Sequence, residues 1–342
     1  MGSLFPGLPD EIGWECLLRV ELNSHHNLKC VCKSWNAALK NPHFYEERKR
    51  LKISEQRICM LDDRRGIVVY DVEEKSYRRL PPIPAEITNF YHCHFAKQKL
   101  VIISDYEFSD RERCISNSVW LFDFTCSKWR RGTETPRPIL GFASAADEQG
   151  GLIYVAGGHC IFAKDVRRCT SVYNVEEDKW DFLPDMNAYM SSYSAVFSEG
   201  KFYLYSGREI EPTFEVFDSY TRSWKSVENR FNSACFLSAF GRLYCLSDPE
   251  YEYNQPRELI EYEYSQDKFH IVGAHSMEWG EPLIFTVEVG HNIFVGSMDY
   301  DFVQTFLTFT PPSETGGAFK RIGIDRLSGL SSFVLHAATL DL

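Results

Sequence analysis

Nowhere in this chain do about eighteen apolar residues follow one another, so no segment reads as a membrane-spanning helix. The opening residues lack the basic stretch and apolar core of a secretory leader. Gly2 follows Met1, but Pro6 stands where an N-myristoylation signal needs Ser or Thr. No Asn-x-Ser/Thr acceptor occurs, as expected of a chain that stays out of the secretory path. Positive charge is also short: 37 Lys and Arg stand against 48 Asp and Glu, a net charge of -11. That balance argues against nucleic acid or an anionic membrane surface as the main partner. Neither a phosphate-binding P-loop nor a Ser-His-Asp elbow appears.

Cysteine is plentiful but unpatterned. The eleven Cys are odd in number and scattered, and Cys93, Cys235 and Cys245 lie in apolar, strand-like runs as buried free thiols do. A reducing compartment fits, so the expected location is cytoplasm, nucleus or both. His92-Cys93-His94 and Cys30-x-Cys32 beside His25-His26 look like metal ligands, yet neither has a second pair at a finger-like distance. No metal and no cofactor are expected. Glu73-Glu74 and Glu176-Glu177 fall in turn-like segments where both carboxylates stay solvated, which does not suit acid-base catalysis.

At 342 residues, 44% hydrophobic and 25% charged, the chain is too long for one small module. Its first part is helical in pattern. Leu28, Val31, Cys32, Trp35 and Leu39 recur at helical spacing and predict one apolar helix face. Just upstream, Ile12, Cys16 and Val20 mark one stripe and Trp14, Leu17 and Leu18 another. A segment of about 45 residues cannot bury that much apolar surface alone, so a second protein is expected to cover part of it.

Leu8-Pro9-x-Glu11, the central Cys16-Leu17-Leu18-Arg19-Val20 and the closing Val31-Cys32-Lys33-x-Trp35 followed by Phe44 resemble an F-box. The resemblance implies binding to the Skp1 adaptor of a cullin-RING ubiquitin ligase, with the rest of the chain selecting a protein substrate. Carried over by position, Leu8, Pro9, Ile12, Leu17, Leu18, Val31 and Trp35 are expected in or directly behind that contact, with Pro9 and Leu17 the foremost anchors. Trp35 and Leu28 are equally suited to the interior of the cluster. Gly13 stands where a good helix former is usual, at a propensity cost of about 1 kcal/mol, so the first helix is expected to lean on its partner.

The body of the chain repeats. Val69-Tyr70-Asp71, Leu121-Phe122-Asp123, Val172-Tyr173-Asn174, Val216-Phe217-Asp218 and Glu261-Tyr262-Glu263 each carry an aromatic and then a polar turn residue. Six residues beyond the last comes a second aromatic: Tyr77, Trp129, Trp180, Trp224 and Phe269. Each unit reads as a tight turn between two strands. The spacings of 52, 51, 44 and 45 residues suit four-stranded propeller blades. Upstream strands at 151–158, 201–207, 242–247 and 292–297 are expected to be the inner ones. Gly151–Gly158 with its paired glycines, then VYNVEEDKW and FLPDM, closely resembles a kelch repeat.

The expected architecture is therefore a small all-α F-box, a three-helix cluster over residues 3–48, a linker over 49–56, and an all-β six-bladed kelch propeller over 57–342. The sixth blade has an enlarged turn around Pro311-Pro312. The first blade lacks a strand and the chain end, 332–340, is a strand without a blade, so that strand is expected to close the ring.

On such a ring, loops carry function. The longest span 105–118, 159–171 and 248–259, and two are basic in an acidic protein. Arg111, Arg113, Arg167 and Arg168, with Tyr106, Phe108 and Phe162 as anchors, are the candidate target-binding residues, suited to an acidic or phosphorylated segment. The whole pattern looks like plant kelch-repeat F-box proteins, including the Kiss-Me-Deadly group, which implies phenylalanine ammonia-lyase or a response regulator as target. The resemblance implies a non-catalytic substrate receptor. The alternatives are a kelch scaffold outside any ligase, or an enzymatic propeller with convergent His, Tyr and carboxylate groups at its channel.

Overall fold

The computed structural model describes Ser3 to Asp341 apart from residues 63–65, 72–73, 75, 85–90, 105, 110–111, 125, 138, 159–167, 189–193, 207–212, 228–232, 240, 248–256, 265, 267, 276–282, 290–291, 299–303, 311–319 and 327–333.

Helices come first. They are α1 (Asp10–Leu18), a 3-10 turn at Leu22–Ser24, α2 (His25–Val31), α3 (Lys33–Lys40) and α4 (Pro42–Arg50). The cluster thus has four α-helices where three were expected. The extra one arises because the stripe from Leu28 to Leu39 is not one helix: Cys32 is extended at φ -156° and ψ 166°, and its Sγ accepts the Trp35 backbone N–H at 3.5 Å to cap α3. The break sorts the stripe. Leu28, Trp35 and Leu39 turn inward while Val31 and Cys32 face solvent. Asn41 begins α4 by accepting from the His43 N–H, with Pro42 at the first helical position, where a missing N–H is harmless.

Four-stranded antiparallel sheets follow, forming a β-propeller. The first contains β1 (Gln56–Asp62), β2 (Ile67–Asp71) and β3 (Ser76–Leu80). The next has β4 (Tyr91–Ala96), β5 (Lys99–Ser104), β8 (Val119–Asp123) and β9 (Lys128–Arg131), with β6 (Tyr106–Ser109) and β7 (Glu112–Ile115) inserted as a two-stranded hairpin. Then come β10 (Ala143–Asp147), β11 (Leu152–Ala156), β12 (Thr170–Asn174) and β13 (Lys179–Leu183), and β14 (Ser194–Ser198), β15 (Lys201–Ser206), β16 (Thr213–Asp218) and β17 (Ser223–Val227). After these lie β18 (Ser233–Ala239), β19 (Arg242–Ser247), β20 (Arg257–Glu263) and β21 (Lys268–His275), and β22 (Leu283–Val289), β23 (Asn292–Met298), β24 (Gln304–Thr310) and β25 (Lys320–Arg326). The last strand, β26 (Val334–Asp341), pairs with β1, Cys59 opposite Ala338, and completes the first sheet as its inner strand. The turn around Pro311-Pro312 lies outside the described residues.

The strands expected to be innermost are second in their sheets. The axis is lined instead by β26, β4, β10, β14, β18 and β22, which adjoin one another around the ring. Two of these include short runs of small residues, Ala143-Ser144-Ala145-Ala146 and Ser194-Ala195.

The repeat aromatics stand directly opposite one another across the last two strands of each unit. Ring centroids lie 5.2 Å apart for Phe122–Trp129, 5.0 Å for Tyr173–Trp180, 5.2 Å for Phe217–Trp224 and 4.9 Å for Tyr262–Phe269. The turns share a geometry. Asn174 and Asp218 accept backbone N–H groups two and three residues on, and the residue four beyond the turn starter has a positive φ: Ser127 54°, Asp178 53° and Arg222 52°.

A single apolar cluster joins the helices to the ring. Leu17, Leu18, Leu39 and Phe44 pack with Cys59, Ile67, Leu100 and Phe122 of the first two sheets. Residues 49–56 contribute Leu51 and Ile53 to it.

Candidate functional site

The N-terminal segment stitches α1 to α3. Trp35 donates its indole N–H to the Leu4 carbonyl at 2.7 Å, and its ring lies 4.8 Å from that of Phe5. Phe5 and Leu4 in turn cross α1 at Gly13, where an added Cβ would meet Phe5 Cδ2 at 2.8 Å and Leu4 Cβ at 3.1 Å. Gly13 is therefore a close-approach position and not merely a weak spot in the helix.

This arrangement divides the expected adaptor-binding residues. Leu8 (45% exposed), Ile12 (50%) and Val31 (61%) face solvent, Pro9 is exposed beside them, and Trp35 is half-buried against the Phe5 ring. Leu17 and Leu18, each 1% exposed, lie in the shared core rather than on the surface of the unpartnered chain. The reason is helical phase: α1 turns Trp14, Leu17 and Leu18 toward the cluster, which leaves Ile12 and Cys16 outside. Cys32 lies next to Val31, and the Ser34 hydroxyl and the Trp35 backbone N–H hold its thiol below the usual range.

The metal-like constellations have other partners. Burial pushes His25 from 6.5 down to about 4; its Nε2 sits 3.0 Å from the Val20 carbonyl, and Phe44 and Tyr45 pack on its ring. The His92 ring lies 4.2 Å from that of Phe142, His94 Nε2 is 2.7 Å from the Ser144 hydroxyl, and burial raises the Cys93 thiol. Among the described residues no three His, Cys, Asp or Glu side chains converge as metal ligands.

In a four-stranded antiparallel blade, the first and third turns open on one end and the second on the other. Lys49 of α4 lines a cavity of about 1360 Å³ together with Glu148, Gln149 and Glu199 of first turns and Tyr220 of a third. The helices thus sit at the end with the first and third turns. The strand ends that flank the second connections, such as Ser104 and Val119, lie at the opposite end.

There the structure brings Tyr106, Phe108 and Arg113 onto the β6–β7 hairpin, with Tyr106 opposite Ile115 and Phe108 opposite Arg113. Arg111, Phe162 and Arg167 lie outside the described residues. Arg168 is committed to the fold: its Nε donates to the Met186 carbonyl at 2.5 Å, and Met186 N donates back to the Arg168 carbonyl at 2.8 Å. Sequence reasoning missed Arg137 and Phe182. The Arg137 guanidinium lies 5.4 Å from the centre of the Phe182 ring, which is 60% exposed, and it donates to Cys169 Sγ at 2.9 Å. The available signal was Phe182 alternating with Trp180 on β13, on the face opposite the buried Leu183 and so outward.

Residues 5–47 match the F-box domain and residues 144–187 match the Kelch motif. Among curated relatives, F-box/kelch-repeat protein At1g80440 of Arabidopsis thaliana is 29% identical over 252 residues, covering 67% of this chain and 70% of that protein. F-box/kelch-repeat protein SKIP20 of Arabidopsis thaliana is 24% identical, covering 99% of this chain and 97% of that protein. Among solved structures, YjhT superposes with a TM-score of 0.60 at 10% identity over 76% of this chain and 91% of its own, a likeness of fold alone.

Proposed function

We propose that this chain, with residues 5–47 matching the F-box domain and 144–187 the Kelch motif, is the substrate-recognition subunit of an SCF-type ubiquitin ligase. The observation that carries the proposal is the uncovered set of Leu8, Pro9, Ile12 and Val31 on a helical cluster whose inner face is already buried in the core it shares with the propeller. Exposed apolar side chains on a small helical cluster call for a protein partner, and a Skp1-like adaptor is the one an F-box takes.

The propeller, read as a six-bladed ring supported by the strand orders above, holds a protein target on the end away from the helices. Tyr106, Phe108, Arg111, Arg113, Phe162 and Arg167 are the proposed contacts, with Arg137 and Phe182 added by their exposure and pairing. The candidate targets carried by the resemblance are phenylalanine ammonia-lyase and a response regulator. Nucleic acid and membranes are not proposed partners. The chain catalyses nothing itself: other subunits transfer ubiquitin, and this one supplies proximity. Its location is proposed as cytoplasm, nucleus or both, where the free thiols of Cys16, Cys30 and Cys32 stay reduced.

The test is co-expression with a Skp1-like adaptor and pull-down of wild type against Ile12→Asp/Val31→Asp. Stoichiometric recovery of wild type and loss of the variant is the expected result. An adaptor that ignores the wild type would return the chain to the kelch-scaffold reading.

A further inference from the structure

The joint between helices and ring contains a chain of charges buried along most of its length. Arg48 of α4 is 1% exposed, among the largest fully buried side chains among the described residues. Its guanidinium donates to the Leu18 carbonyl, to the Val20 carbonyl at 2.7 Å, to the Ile53 carbonyl at 3.1 Å and to Glu55 Oε1 at 3.1 Å. Glu55 Oε1 also accepts the Leu22 N–H at 2.6 Å. The other oxygen of Glu55 pairs with Arg57, 5% exposed, which reaches on to Asp71 at the end of β2. One relay therefore runs from the end of α1, through α4 and residue 55, into the first blade.

Stability alone does not account for such a device. The shared apolar cluster already glues helices to ring, and a buried ion pair is commonly no more stabilising than an apolar replacement of equal volume. Apolar contact is non-directional and tolerates sliding, whereas a guanidinium with four named acceptors defines one orientation. We infer that Arg48, Glu55 and Arg57 are positioning residues that set the angle of the adaptor-binding helices over the ring. The inference rests on the adaptor reading above. A target held at the far end of the ring is then presented to the ubiquitin-carrying subunit at a fixed reach, and transfer depends on that reach.

The experiment uses the full chain with spin labels on unnatural amino acids at exposed Glu11 and Glu176, comparing wild type, Glu55→Gln and Arg48→Lys. Both variants keep polar groups in place, so both are expected to fold and to bind a Skp1-like adaptor as wild type does. The distance distribution between the labels is expected to broaden about twofold, and self-ubiquitination in the reconstituted ligase to slow about threefold at equal adaptor occupancy. Two variants with distributions as narrow as wild type would overturn the inference, as would broadened distances with an unchanged transfer rate. If one variant does not fold, the other decides. A wild type that binds no adaptor would instead overturn the proposed function, and the label distances alone would then decide whether the relay fixes the angle.

Discussion

The indole N–H of Trp224 donates to the carbonyl of Pro184 at 2.8 Å, tying the outer strand of one blade to the exit of the blade before it. Trp180 makes the equivalent bond to Thr133 at 2.9 Å, and in both cases the acceptor lies four residues beyond the matching Trp of the preceding unit. The repeat aromatic thus has two tasks, facing its cross-strand partner and bonding the neighbouring blade. Trp224→Phe keeps an aromatic face toward Phe217 but removes the donor and part of the ring, so it is expected to cost at least about 1 kcal/mol in chemical denaturation. An unchanged midpoint would show that the bond between blades contributes nothing.

On the helical domain, stability and partner binding are expected to separate by residue. Leu17→Ala removes a fully buried side chain and should lower stability by roughly 2–5 kcal/mol. Ile12→Asp and Val31→Asp change exposed positions and should leave the melting temperature nearly unaltered while abolishing adaptor capture. Thermal melts and pull-downs on the same preparations check this. The idea fails if Ile12→Asp melts early or still binds.

Gly13→Ala sets two effects against each other. Helix propensity gains about 1 kcal/mol. Against it, the new methyl group lies 2.8 Å from Phe5 and forces that ring off Trp35, an overpacking cost of roughly 1–3 kcal/mol. The expected balance is a modest loss of stability that Gly13→Ala/Phe5→Ala does not deepen further, measured as a double-mutant cycle.

His25 makes the fold acid-sensitive. Its folded-state value near 4 lies below the 6.5 of an unfolded chain because burial disfavours the imidazolium, and the charges of Arg48 and Lys29 add to this while the Val20 carbonyl and Glu55 oppose it. Below the unfolded value the unfolded state binds the proton and the folded state does not. The His25 contribution is therefore intact above about pH 6.5 and falls away between pH 6.5 and 4, by roughly 3 kcal/mol in all. The difference in stability between wild type and His25→Leu should change across this window and be level above it. A difference level from pH 7 to pH 4 would mean that the imidazole is solvated.

Deleting residues 334–342 takes away the inner strand of the first sheet and exposes the edge of β1 along the axis. The expected result is loss of cooperative unfolding for the whole ring, seen by calorimetry. A truncated chain with the wild-type melting curve would show that closure is dispensable.

The propeller was legible because its signal is local and repeated. A turn starter such as Asp218 and the aromatic six residues later act within one hairpin, so their spacing is visible in the chain. The closing strand was legible from the strand inventory of the first blade. The innermost strands were misplaced because they consist partly of short, small-residue segments whose alternation is faint, and only convergence at the axis selects them. The exposed apolar face of the helices, the proposed adaptor face, was half legible. Amphipathic spacing marked two apolar stripes on α1, but the stripes are equivalent until packing on α4 and into the cluster shared with the propeller covers the one with Leu17 and Leu18 and leaves Ile12 outside. The Cys32 break is a local cap on the Trp35 N–H that apolar spacing does not register, Gly13 is crossed by the nearby Leu4 and Phe5, and the relay from Arg48 reaches Leu18 and Val20, groups distant in sequence. Local patterns by themselves, apolar spacing in the helices and the turn-to-aromatic spacing in the blades, determined the order of a helical segment followed by repeated hairpins. Which face each buries, and the angle at which the helices meet the ring, were decided only when long-range packing and directional hydrogen bonds had to be satisfied together.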